Sequence, residues 1–163
     1  MDWEPDFETY AGTRLFVTVG PRPATNDEAA FEAADWNEIT ITSVPNYRGR
    51  TYNTATLAVV SNAHDKIKKG SYTLPSMDFG VQWLPDQVGQ KAVAAALLNY
   101  DILGFAVVDQ NGGVSYFSAQ VSNFVETGGS SNDARGGTLS LLRQSDTIDA
   151  VTPAIPVEDV PTP

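Results

Sequence analysis

Residues able to do acid–base, nucleophilic or metal chemistry are few in this chain. It has one histidine, His64, and no cysteine. A thiolate nucleophile, a disulfide framework and a cysteine-ligated zinc site are therefore excluded. His64 stands in the polar stretch His64-Asp65-Lys66, so a histidine-based triad would have to be assembled in a loop. No serine sits in a Gly-Xaa-Ser-Xaa-Gly elbow, and no glycine-rich loop ends in Gly-Lys. Only an oxygen-ligand metal site is left open. Asp2, Glu4, Asp6 and Glu8 alternate, but they lack the turn glycine of a calcium loop. The expectation is a protein that is not an enzyme and carries no cofactor and no metal.

The remaining candidates are binding residues. Tyr47, Arg48, Arg50 and Tyr52, with Tyr72 beyond them, mix aromatic and cationic side chains, and Lys66, Lys68 and Lys69 follow His64. Rings beside arginines suit a carbohydrate-stacking or nucleic-acid surface, or a loop anchored by its own aromatic and arginine contacts. The charge decides against nucleic acid: 20 acids stand against 10 bases, a net −10, whereas phosphate binding needs a clustered basic surface. Much of the acidity lies at the two ends. Asp2 to Glu8 and Asp146 to Asp159 contain acids and no base, and the body between them is close to balance.

The 163 residues are enough for one domain with one core. Hydrophobic residues make up 42%, too many for a disordered chain. The longest run free of polar residues and glycine is Ala92–Leu98, far short of the about 20 residues that a membrane helix needs. Met1-Asp2-Trp3-Glu4 has neither the basic nor the apolar part of a signal peptide. A soluble protein kept in a cytoplasm is expected.

These residues must be positioned mostly by strands. Arg14 to Val19 is a β-branched and aromatic run closed by Gly20-Pro21, and Trp36 to Val44 alternates before Pro45 stops it. Thr25-Asn26-Asp27-Glu28 reads as a capping box opening a short helical turn to Ala34. Residues 45–70 read as a long irregular loop; the run Thr56–Val60 is compatible with a strand, but its flanks read as loop. Ser71 to Leu84 alternates, with Met77, Phe79, Val81 and Trp83 on one face and Ser76, Asp78, Gly80 and Gln82 on the other. Asp86 to Asn99 is the clearest helix, with Asp86 as its cap and an apolar stripe through Val88, Ala92, Val93, Ala96 and Leu97. Ile102–Val108 and Val114–Val125 form a hairpin across Asn111-Gly112, and Gly128–Gly137 is a second tip before a strand over Thr138–Arg143. The fold class is mainly β: an antiparallel β-sandwich or barrel with one flanking α-helix. The domain plan is an acidic arm over 1–10, a β-sandwich over 11–145 with the loop 45–70, and a Pro-rich arm over 146–163 that continues neither sheet nor helix.

Four segments carry a resemblance. Ala11-Gly12-Thr13-Arg14-Leu15-Phe16-Val17 leads into the first strand, and Phe31-Glu32-Ala33-Ala34-Asp35-Trp36-Asn37-Glu38-Ile39 runs from a turn into a Trp-Xaa-Glu-aliphatic strand. Lys66-Ile67-Lys68-Lys69-Gly70-Ser71 is the third. The fourth joins Gly89-Gln90 and Ala92–Leu97 to Asn111-Gly112-Gly113 and Tyr116-Phe117-Ser118-Ala119-Gln120-Val121. In this order, over roughly 11–143, they resemble the major tail tube protein of long-tailed, non-contractile bacteriophages. The two acidic ends have no clear counterpart in that pattern.

The resemblance implies a structural virion protein that forms homo-hexameric rings. These stack into the tail tube through which the genome is ejected, and DNA passes without specific binding. Its partners would be further copies of itself and the tape measure, tip and terminator proteins. It would be assembled in the host cytoplasm, reside in the virion tail and insert in no membrane. Ser76, Asp78, Gln82, Ser118, Gln120 and Ser122, which carry no base, are expected to line the lumen. Tyr47, Arg48, Arg50, Tyr52, Lys66, Lys68 and Lys69 are expected to contact neighbouring subunits or rings. The alternatives are a tail terminator, a type VI-like secretion tube, or a monomeric carbohydrate-binding sandwich.

Overall fold

Antiparallel pairing organises the chain throughout. The computed structural model describes residues 9–61, 63–110 and 112–150. Among them the elements are β1 (Arg14–Thr18), α1 (Glu28–Glu32), β2 (Trp36–Ile39), β3 (Ile41–Ser43), β4 (Thr51–Leu57), β5 (Lys66–Thr73), β6 (Met77–Gln82), α2 (Val88–Leu97), β7 (Ile102–Val108), β8 (Val114–Thr127), β9 (Gly136–Arg143) and β10 (Ile148–Asp149). The expected mainly β, antiparallel class is what forms, with α2 as the substantial helix.

The main sheet has the order β2-β1-β7-β8-β9-β6-β3, and β10 adds to β8. β2 and β3 are the two ends of this order, yet only Thr40 separates them in sequence. The sheet must therefore curl until its edges meet, as a barrel does. At the junction Gln82 N donates to Thr40 O at 3.0 Å, and the β3–β6 register shifts between Ile41 and Ser43, the kind of bulge that lets a strand change sheets. β8 is the longest strand described; its first half pairs with β7 and its second with β9.

Alternation places Leu15, Val17, Phe79, Phe105, Phe117, Leu139 and Leu141 in the interior, all fully buried. Val93 and Ala96 of α2 join them, and the Phe105 and Phe117 rings stack at 5.7 Å. The other face of β1, β7 and β8 carries a smaller cluster. There Phe31 of α1 stacks on Tyr116 at 5.3 Å and Trp36 lies 5.8 Å from the same ring.

Both helix caps differ from expectation. α1 is capped by Asp27, whose carboxylate accepts from Ala30 N at 2.8 Å, and not by Thr25. α2 begins after Gln87, and Asp86 does not cap it. Gln87 instead spends its amide on the junction: Thr40 N donates to its Oε1 at 3.2 Å and its Nε2 donates to Thr40 Oγ1 at 3.1 Å. The alternating stretch Ser71–Leu84 is divided around Pro75, a position whose residue type marks a bulge or an edge. β5 ends at Thr73 and β6 starts at Met77, because Pro75 between them has no amide to donate. Likewise Ile148 and Asp149 do continue the sheet, pairing with Tyr116 and Ser115, because the prolines begin only at Pro153. The residues of the two expected arms at 1–8 and 151–163 lie outside the described ones.

Gly89 shows how closely α2 docks. A Cβ there would stand 2.6 Å from Glu38 O and 2.9 Å from Ile39 Cγ1. Gly89→Val should therefore destabilise the fold by about 1–3 kcal/mol through overpacking, read as a lowered midpoint in chemical denaturation. An unchanged midpoint would mean that α2 does not seat on β2 in this way.

Candidate functional site

Residues 45–70 are irregular only in part, since Thr51–Leu57 and the residues from Lys66 onward are strands. β4 and β5 form a two-stranded ribbon separate from the main sheet, with every residue of both strands exposed. Burial alternation could not announce these strands, because neither face covers anything. The available signal was the spacing of β-branched Thr51, Thr54 and Thr56. His64, Asp65 and Lys66 stand exposed at the end of this arm remote from its root. Among the described residues no group of three or more His, Asp or Glu side chains is placed to hold a metal ion.

The root of the arm is built by the residues before β4. Tyr47 is buried, and its hydroxyl donates to Asp109 Oδ1 at 3.1 Å; burial pushes its pKa up to about 12. Arg48 donates to Ser115 Oγ at 2.7 Å and to Asp149 Oδ1 at 2.8 Å. Arg50 pairs with Asp146 and lies over the Tyr72 ring at 4.1 Å. Tyr72 meets Tyr52 at 5.6 Å, and Lys69 Nζ lies 4.8 Å from the Tyr52 ring.

The seven expected contact residues thus fall into two sets. Tyr47, Arg48 and Arg50 make the contacts just described within their own chain, at the root of the arm. Tyr52, Lys66, Lys68 and Lys69 are on the exposed ribbon. Register puts Lys66 opposite Leu57 and Lys68 opposite Ala55, while Lys69 and Ile67 face Thr54 and Thr56. Both faces of the arm therefore mix cations with apolar groups, and Ile67 and Leu57 are each more than 60% exposed.

The expected polar face divides as well. Asp78 and Gln82 point away from the core, and Asp78 Oδ1 accepts from Ser140 Oγ at 2.6 Å. Ser122 Oγ donates to Ser140 O at 3.1 Å, and Gln120 Nε2 donates to Tyr100 O at 3.0 Å. Ser76 is exposed just before β6. Ser118 is a correction: it is buried, opposite Gly104, where Pro23 and Phe31 crowd the sheet. Sequence alternation could place Ser118 on this face but could not show that the segment before α1 covers that end of it.

No protein-family model and no curated protein matches the chain. Solved structures do. A chain of the anti-feeding prophage (AFP) baseplate, from a 6-fold symmetrised cryo-EM structure, matches with a TM-score of 0.61 at 10% identity, covering 85% of this chain and 90% of that one. A chain of the PVC sheath/tube terminator of an extracellular contractile injection system matches with a TM-score of 0.60 at 12% identity, covering 91% and 99%. A chain from the tail of an empty GTA particle, refined with C6 symmetry, gives 0.56 at 9% identity over 84% and 94%. The fold is tail-tube-like. At these identities the likeness concerns the fold, and it extends across particle types instead of selecting non-contractile phage tails.

Proposed function

We propose that this chain is a structural tail tube subunit that closes into hexameric rings, which stack into the conduit for genome ejection of a non-contractile phage tail. The observation that carries this reading is the exposed β4–β5 arm. A ribbon with Leu57 and Ile67 open to solvent and Lys66, Lys68 and Lys69 along it is a surface waiting for a partner. A second copy suits it in charge, since the chain as a whole carries −10. The tail-like fold, found in particles treated with six-fold symmetry, supports a ring. A heterologous contact that closes gives a ring, and axial stacking of rings gives a filament.

In the ring, the exposed face with Ser76, Asp78, Gln82, Gln120 and Ser122 lines the lumen. Cations along a conduit would hold DNA phosphates, whereas acidic and amide side chains let them pass. The partners are other copies, with tape measure, tip and terminator proteins at the ends of the tube. Assembly takes place in the host cytoplasm and the product is the virion tail. A second reading is a ring that terminates a tube, since a chain of the PVC sheath/tube terminator structure matches over nearly its whole length, as a chain of the PVC sheath-tube complex also does.

Negative-stain electron microscopy of the purified protein over a range of concentrations separates the two. Hollow filaments of uniform width are expected; isolated single rings at every concentration would select the terminator reading. Lys68→Glu with Lys69→Glu should slow filament growth about tenfold or more at low salt and less at high salt, where charges are screened. Unchanged growth would remove these lysines from the interface. Asp78→Lys with Gln82→Lys should leave filaments intact but make them retain added DNA in sedimentation. Filaments that ignore DNA equally in both forms would sink the lumen assignment.

A further inference from the structure

The arm grows from an interruption in one long strand pairing. β9 and β10 lie along the same side of β8, with Arg143 opposite Ala119 and Ile148 opposite Tyr116. Residues 144–147 therefore bulge against only Phe117 and Ser118. The bulge is pinned from below: Gln144 N donates to Ser118 O at 2.7 Å, and Ser118 N donates to Ser145 Oγ at 2.9 Å. Its remaining side chains turn toward the segment that leads into β4. Thr147 Oγ1 donates to Tyr47 O, Asp146 pairs with Arg50, and Asp149 at the far end pairs with Arg48.

Arg143 stands at the centre, only 5% exposed. Its Nη1 donates to Tyr47 O at 2.6 Å and to Thr147 Oγ1 at 3.2 Å, and its Nη2 donates to Gly49 O. Nε has no partner among the described residues, and burial pulls the guanidinium pKa down. A charge is thus held largely out of water on backbone carbonyls, an arrangement that costs desolvation and fixes position. Those carbonyls belong to the root of the arm. Above them Arg50, Tyr72, Tyr52 and Lys69 lie one over the next, adding cation–π and ring contacts.

We infer that the arm is folded and aimed by its own subunit before any partner arrives, with Arg143 as the positioning residue of a socket formed by the bulge. An isolated two-stranded hairpin is marginal in water, so the root contacts are what keep this one formed. A pre-organised arm meets its partner without a large ordering cost. This differs from a loop that becomes ordered only on assembly, and it stands apart from the tube reading, since it concerns the free subunit.

Hydrogen–deuterium exchange of the full chain at high dilution tests it. Amides of β4 and β5 near the root should exchange at least about tenfold more slowly than in an unstructured peptide. Arg143→Met should bring them to the unstructured rate while β7 and β8 keep their protection. Arg143→Lys, which reaches fewer carbonyls, should fall between. Arm amides that exchange freely in the wild-type subunit would overturn the inference, as would unchanged protection in Arg143→Met. If Arg143→Met unfolds the barrel, Asp146→Ser with Thr147→Val decides, since it removes root contacts and leaves Arg143 in place: arm protection should drop with the barrel intact, and full retention overturns the socket. A subunit that never polymerises yet protects its arm would support this inference and count against the tube; filaments grown from subunits with unprotected arms would do the reverse.

Discussion

The meeting of the two sheet edges at Thr40 is the constraint on which the rest of the structure depends. Sequence-adjacent β2 and β3 occupy opposite ends of the strand order, so six pairings between them must accumulate enough curvature to return to one residue. A neutral amide cluster holds that point. Gln87 binds the Thr40 amide and hydroxyl, and the fully buried Gln90 accepts from Leu84 N at 3.0 Å while donating to Gln82 O at 2.6 Å and to Gln87 Oε1 at 3.1 Å. Each such bond contributes only about 1 kcal/mol net, but an orphaned buried partner costs about 1–3. Their effect is to make one closure geometry much better than a slipped one. Apolar burial alone would favour any compact curl.

The same cluster explains why α2 sits where it does. A helix that starts on Gln87 and Gln90 must bring Gly89 against the β2 backbone, and only the absence of a side chain admits that approach. Val93 and Ala96 then fall onto the core formed by Leu15, Val17 and Ile39. On the outer side of the same edge Arg14 forks onto Glu38 with both bonds at or below 3.0 Å, and that hydrogen-bonded carboxylate raises the arginine pKa. Helix placement, strand order and edge pairing are thus consequences of one junction.

How much of this the sequence discloses depends on whether burial leaves a periodic trace. Met77, Phe79 and Val81 alternate with Asp78 and Gln82, and their strand and its inward face are legible at once. The stripe through Val93 and Ala96 marks α2 equally well. The arm leaves no such trace, because Thr51–Leu57 and Lys66–Thr73 cover nothing, and loop-like composition concealed two paired strands. Ile148 and Asp149 were hidden by the prolines that follow them, although a proline acts on its own position and its predecessor, not on residues several places earlier. The caps misled for a related reason. Several residues of suitable type stood near each helix start, and tertiary contacts, not type, chose Asp27 and freed Gln87. Among the candidate surface residues, alternation assigned Ser118 its face correctly but could not reveal that α1 and its lead-in roof that part of the sheet.

β8 is where these two parts of the molecule are tied together. Its outward positions run from Tyr116, stacked beneath Phe31, through buried Ser118 to Gln120 and the exposed Ser122, so one strand changes from an apolar roofed face to an open polar one within two turns of the pleat. Where the roof ends, the opposite edge of the strand receives the bulge of residues 144–147, and through it the root of the arm. The position of the arm and the position of the open polar face are therefore fixed by the same few residues of backbone. A continuous strand, paired with β7 along its first half and with β10 and β9 along its other edge, is a stiffer link between the arm and that face than a loop is.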